Sequence, residues 1–181
     1  MNKQQLDNLL WQLNKELRRK MRKVPYGYKV NMYIVGGASV IARYSYRTST
    51  QDVDAIWDVG SEMREAINAV AQKNGLPKDW CNCNFKRTTS YTPKILTNST
   101  MYRDFDRLRV WLVNSDLLLC MKLVAFRANK ITDLVDINNM LGILKSNGVR
   151  SDVVFNLVVK YYGNRNVLSK EAIDYVRGYL G

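Results

Sequence analysis

Two aspartates one residue apart, Asp52 and Asp54, sit in a β-prone run from Asp52 to Trp57. Side chains alternate between the faces of a strand. A spacing of two therefore puts both carboxylates on one face, while Val53, Ala55 and Trp57 point to the other. Such a pair repels itself unless it is solvated, takes up a proton, or shares a divalent cation, and Mg²⁺ is the natural hard ion for it. Upstream, Gly36-Gly37 closes a second apolar run, Val30 to Val35. Residues without Cβ let the backbone approach a phosphate closely, a helix starting just beyond them aims N–H groups at the anion, and Ser39 adds a hydroxyl. A metal-binding pair, Asp52 and Asp54, with a phosphate cradle of Gly36, Gly37 and Ser39 points to chemistry on a nucleotide.

Those residues need a sheet and a helix to hold them. The patterning predicts a strand over 30–35, a short helix over 38–43, a loop over 45–50, a second strand over 52–57, and a helix over 62–74 stopped by Gly75. Alternation of Leu108, Val110 and Leu112 with Arg109, Trp111 and Val113 predicts a third strand. Before them, Leu6, Leu9, Leu10, Leu13, Leu17 and Met21 recur at helical spacing with basic residues on the other side, predicting an amphipathic helix that ends before Pro25. The region 76–103, rich in Asn, Thr and Ser, reads in part as extended loop. Beyond 114 the chain is helical in character: caps at Ser115-Asp116, Thr132-Asp133 and Ser151-Asp152 open runs to about 129, 145 and 162, and Ser169 opens a shorter one. Tyr161, Tyr162, Tyr175 and Tyr179 at helical spacing read as core rather than as base-stacking groups. The expected class is α+β: a small mixed β-sheet with flanking helices in 1–114, followed by a C-terminal helical bundle in 115–181, packed as one compact unit.

Composition narrows the chemistry. The 181 residues contain no His, which removes a His-dependent triad, a His general base and the common His-containing zinc sites. With 28 Lys and Arg against 16 Asp and Glu, the net charge of +12 favours polyanionic partners: nucleotides, nucleic acid or an acidic protein. The three cysteines, Cys81, Cys83 and Cys120, suit neither a disulfide framework nor a closed zinc site, so a reducing cytoplasm is expected. The polar N-terminus is unlike a secretory leader, and no apolar run approaches the roughly 20 residues that span a bilayer, so no membrane partner is expected.

An apolar residue, Gly-Gly, a spacer of fourteen residues and Asp-x-Asp on a strand resembles the signature of the nucleotidyltransferase superfamily with the DNA polymerase β-like core. The segment Arg47-x-Ser49-Thr50-x-Asp52-x-Asp54 is similar to the branch holding the AbiEii-type toxins of abortive-infection toxin–antitoxin systems and related small bacterial proteins. Lys122-Leu123-x-Ala125 with Arg127 and Asp133-x-x-Asp136 adds to the resemblance, which covers about residues 30–140. It implies an NTP substrate, Mg²⁺ held by Asp52 and Asp54, and transfer of a nucleoside monophosphate to a macromolecular acceptor, tRNA or protein, with an antitoxin as a further partner. Arg47 and Lys122 would neutralise the triphosphate, Thr50 and Arg127 would line the nucleotide, and Asp136 would be catalytic; Arg127 with Asp133 or Asp136 reads equally as a structural ion pair. One departure stands out. Many such enzymes carry a third carboxylate on a neighbouring strand, and 108–113 has none, leaving Asp104, Asp106, Asp116, Asp133 or Asp136 to replace it. The alternative is a catalytically inactive nucleotidyltransferase fold that binds nucleic acid or a protein.

Overall fold

The computed structural model describes residues 1–58 and 60–181, which divide into two compact units. The first comprises 1–84 and 99–113, the second 85–98 and 114–181. The class is α+β, with a mixed sheet and a helical C-terminal region.

In the first unit the chain runs α1 (Lys3–Lys20), β1 (Val30–Ile34), α2 (Gly36–Arg43), β2 (Val53–Trp57), α3 (Ser61–Asn74), β3 (Cys81–Asn82), β4 (Ser99–Asp104) and β5 (Leu108–Val113). The strand order is β3-β2-β1-β5-β4. Strand β1 lies at the centre, antiparallel to β2 and parallel to β5. Its register, Tyr33 opposite both Ile56 and Trp111, decides which side chains share a face. Val30, Met32, Ile34, Val53, Ala55, Leu108 and Val110 are buried with the leucine stripe of α1 and with Met63, Ala66 and Val70 of α3. Helix α1 opens with a capping box, in which the Asn2 side chain accepts from the Gln5 N–H and Gln5 reaches back to the Asn2 N–H. Leu6, Leu10, Leu13 and Leu17 are fully buried, each contributing about 1.5–3 kcal/mol. Helix α3 ends at Gly75, whose left-handed φ of 62° is the conformation a glycine cap supplies at little cost.

The region 76–103, read in part as loop, holds two of the five strands and two single 3₁₀ turns. Strand β4 escaped the pattern because it is a polar strand at the sheet edge, exposed at most positions and irregular between Met101 and Arg103. Its backbone pairing with β5 makes it a strand; apolar alternation does not.

The second unit contains α4 (Ser115–Val124), α5 (Ile131–Ser146), α6 (Ser151–Tyr162) and α7 (Lys170–Leu180). Helix α4 stops five residues short of the expected end. The chain turns there, packing Phe126 against Tyr175 with tilted rings 5.2 Å apart and pairing Arg127 with Asp133. The four C-terminal tyrosines are engaged within this unit. Tyr161 is buried, Tyr162 donates to Ser90 O at 2.6 Å, and Tyr175 and Tyr179 donate to the side chain and the carbonyl of Asn138. Among the described residues, no helix is long and apolar enough to cross a membrane.

Candidate active site

The Val35 N–H donates to Asp54 O at 2.9 Å, so the end of β1 is tied to β2 just where the chain turns into α2. That turn is Gly36, with φ of +59°, a conformation that strains any residue with a Cβ. A Cβ there would also lie 2.9 Å from Asp54 Oδ2. At Gly37 a Cβ would meet Thr50 Oγ1 at 2.5 Å and Arg47 Nη2 at 2.7 Å. The two glycines are thus required by side chains of this protein: Asp54 lies against the first, Arg47 and Thr50 against the second. Helix α2 begins at Gly36 with no side-chain cap, and the first N–H groups of a helix have no intrahelical acceptor, so this end favours an anion.

The loop before β2 is held from several sides. The Thr50 N–H donates to Met1 O and the Met1 ammonium donates to Thr50 O, both at 2.8 Å. Thr50, nearly buried, donates from Oγ1 to Asp52 O at 3.3 Å, and Arg47 Nε donates to Ser49 O at 2.9 Å. Asp52 lies one residue before β2, and its Oδ2 accepts from Asn82 Nδ2 on β3 at 3.4 Å. Both carboxylates are half-buried. Cys81, opposite Val53, registers them: its thiol is pushed up first by burial, then by the negative charges of Asp54, Cys83 and Asp52. Asn82 was missed by the sequence reading because β3 is two residues long. The only signal for it was the short run Trp80-Cys81-Asn82 after Pro77.

Ser39 is one turn into α2 and fully buried, its hydroxyl without a hydrogen-bond partner among the described residues.

No carboxylate from β5 joins the pair. On the sheet face of Asp54 and Ile56, Trp111 stacks on Tyr33 with centroids 6.0 Å apart, and its Nε1 donates to Asn31 Oδ1. Asp104 is ion-paired with Lys29 and Arg109, and hydrogen bonds from those two hold its carboxyl below the usual range. Asp106 accepts from Asn14 and Arg18. Asp104 pairs with Arg109, in register with Asn31 near the start of β1, and Asp106 lies in the turn before Leu108, whereas Gly36 follows the end of β1.

Lys122, Arg127, Asp133 and Asp136 come together inside the second unit. Lys122 Nζ lies 2.7 Å from Asp136 Oδ2 and 3.7 Å from Asp133 Oδ1, and Arg127 lies 2.7 Å from Asp133 Oδ2. Lys122 is 9% exposed and Asp136 0%, so this pair joins α4 to α5 in the interior. Burial raises the Asp133 carboxyl, but Lys122, Arg127 and Lys130 outweigh it and leave the group below its ordinary value.

The donors at the turn are all oxygen. Among the described residues no cluster of three or more His, Cys, Asp or Glu side chains is placed to hold a metal. Two carboxylates are nevertheless what a Mg²⁺ ion takes from a protein when the substrate phosphates and water complete its octahedron, so the residues fit that ion.

An Asp-x-Asp strand beside a glycine turn that opens a helix, on a mixed sheet flanked by helices, describes a nucleotidyltransferase core. Residues 9–143 match the family described as "Nucleotidyltransferase of unknown function (DUF6036)", and the chain belongs to that family. No curated protein and no solved structure matches it.

Proposed function

We propose that the protein is a Mg²⁺-dependent nucleotidyltransferase that moves a nucleoside monophosphate from an NTP to a hydroxyl of a macromolecular acceptor, tRNA or protein. The observation that carries this reading is the packing of the glycine turn: Gly36 admits the Asp54 carboxylate and Gly37 admits Arg47 and Thr50. One carboxylate, one guanidinium and the start of α2 thereby converge on one turn. Asp52 and Asp54 would hold the metal, which when bound supplies charge neutralisation at the triphosphate. Arg47, planar and permanently charged, suits a bidentate contact with phosphate oxygens, and the uncapped start of α2 adds N–H donors. Thr50 supports Asp52 through its hydrogen bond to Asp52 O. The bond formed joins the acceptor oxygen to the α-phosphorus, and the bond broken releases pyrophosphate. A role as the toxin of a toxin–antitoxin pair in the cytoplasm rests on the resemblance of the 47–54 segment to the AbiEii-type toxins.

A second reading is favoured by one observation. Trp111 and Arg109 occupy the open-face positions of β5 where a third carboxylate would stand, and Asp104 and Asp106 lie at the other end of the sheet. A fold that binds nucleic acid or a protein partner without turnover would have this appearance.

Incubation with each α-³²P-labelled NTP, Mg²⁺ and bulk tRNA or lysate, beside an Asp52→Ala/Asp54→Ala control, separates the two. Label moved to RNA or protein by the intact chain alone supports transfer. No transfer, with no Mg²⁺-dependent NTP binding by calorimetry, overturns it.

A further inference from the structure

The carboxylate pair and the glycine turn use the C-terminal end of β1. The opposite end of the first unit carries a different feature. Six of the nine residues from 15 to 23 are Lys or Arg. Because the leucines of α1 fill the core, these cations all project outward, and Lys15, Arg18, Arg19 and Arg22 line a surface groove of about 470 Å³. Three of the six have carboxylate partners: Arg18 with Asp106, Arg19 with Glu16 and Lys20 with Glu65. Among the described residues, Lys15, Arg22 and Lys23 have none. Glu16 is itself buried and also takes Lys73 from α3, so one acid is spread over two cations.

Helix stability does not explain this density. Cations in the last turn complement the helix dipole, which accounts for Arg18, Arg19 and Lys20. Arg22 and Lys23 lie beyond the helix end and Lys15 more than a turn before it. Within the helix, Lys15 and Arg19 are like charges at a spacing that destabilises it.

Exposed aromatics accompany the charge. Trp11 is 46% exposed with the Lys15 ammonium 3.6 Å above its ring centroid, Tyr28 is 47% exposed and Tyr26 95%. Tyr26 sits on a held segment: the Arg107 guanidinium donates to the carbonyls of Val24, Pro25 and Tyr28 at 3.1, 2.8 and 3.2 Å. A ring presented to water on a stapled loop, beside unpaired cations, is suited to stacking on an unpaired base whose phosphates meet the cations.

We propose that the C-terminal half of α1 with the 21–28 segment is a binding surface for looped RNA, separate from the glycine-turn site. Lys15, Arg22 and Lys23 contact phosphates, and Tyr26 and Tyr28 stack on loop bases. Exposed rings beside unpaired cations match the bases and phosphates of an RNA loop, whereas an acidic protein needs the cations alone to be recognised by charge, and this pairing is why RNA is the better occupant. The surface does not depend on the transfer reading, since it lies at the other end of β1 from Asp52 and Asp54.

The test is anisotropy of a fluorescein-labelled RNA hairpin titrated with the full chain between 50 and 300 mM salt. The expected result is binding that weakens linearly in log affinity against log salt. A Lys15→Gln/Arg22→Gln/Lys23→Gln variant breaks no ion pair among the described residues and should keep its fold, as checked by circular dichroism. It should bind at least about tenfold more weakly, with a salt slope smaller by roughly 2, as expected for three lost phosphate contacts. Tyr26→Ser/Tyr28→Ser should weaken hairpin binding, leave the salt slope unchanged, and not affect a blunt duplex. Asp52→Asn/Asp54→Asn should bind the hairpin like the parent, so that loss of transfer and loss of docking are read apart. A folded triple variant with unchanged affinity and slope overturns the proposal, as does polyglutamate binding as tightly as the hairpin.

Discussion

Replacing Gly37 by alanine tests the packing of the turn with a single methyl group. The added Cβ would stand 2.5 Å from Thr50 Oγ1, about 1 Å inside an ordinary contact. Arg47, the other neighbour, ends in a flexible guanidinium and can swing away. Thr50 cannot, because it is β-branched, nearly buried, bonded to Asp52 O through its hydroxyl, and tied to Met1 through both its N–H and its carbonyl. The strain therefore falls on the loop and should cost about 1–3 kcal/mol, the range for overpacking a filled site. For a chain of this size that is a fall in Tm of about 2–12 °C. Urea titrations of Gly37→Ala, Thr50→Ala and the double variant form a cycle. Thr50→Ala removes the obstructing oxygen, so the double variant should be more stable than the sum of the single losses by about 1 kcal/mol or more. Additive losses, within about 0.5 kcal/mol, would refute the reasoning, because they would mean the methyl does not press on Thr50. Gly178→Ala is the internal control. Its Cβ meets nothing within 4 Å and it lies in α7, so the variant should gain roughly 0.5–1 kcal/mol from helix propensity.

Three further outcomes follow from the second unit and the thiols. Lys122→Met removes the cation beside the fully buried Asp136 and should destabilise by about 3–5 kcal/mol in urea melts, while Lys122→Met/Asp136→Leu should recover most of that loss. Asp133 has a folded-state value below its ordinary 3.8, so its contribution is fully present above that pH and is lost as pH falls through the lower folded value. The stability gap between the parent and Asp133→Asn should accordingly be flat from pH 7 to about 5 and close below about 4, as followed by urea midpoints across that range. In a thiol titration at pH 8 the exposed Cys83 should react first. Cys81 and Cys120 should stay silent until unfolding, Cys120 because burial, then Asp116, pushes its thiol up to about 12.

Patterns with a strong period were readable along the chain. The leucine stripe of α1, the apolar runs of β1 and β2, and the alternation in β5 bury one face each, so burial writes them into the residue order. Strand β4 and the two residues of β3 are set by backbone pairing to a neighbour already in place, and Ser-Thr-Met-Tyr-Arg-Asp carries no apolar alternation to announce it. At the glycine turn, residue types alone suggested room left for a phosphate. In the folded chain Asp54 lies where a Cβ on Gly36 would come, and Arg47 and Thr50 lie where one on Gly37 would come.

The sequence by itself determined the membership of residues 9–143 in a nucleotidyltransferase family, the spacing of Asp52 and Asp54, and the surplus of cations in the second half of α1. Those properties are local: they depend on residue type and short-range order. Only the tertiary structure decided that Asn82 reaches Asp52, that Asp104 and Asp106 sit at the far end of the sheet, and that Lys122 is held by Asp136. Each depends on which strand or helix lies beside which. That is settled by the register of β1 against β2 and β5 and by helix packing, through contacts between residues far apart in the chain that no short window of sequence contains.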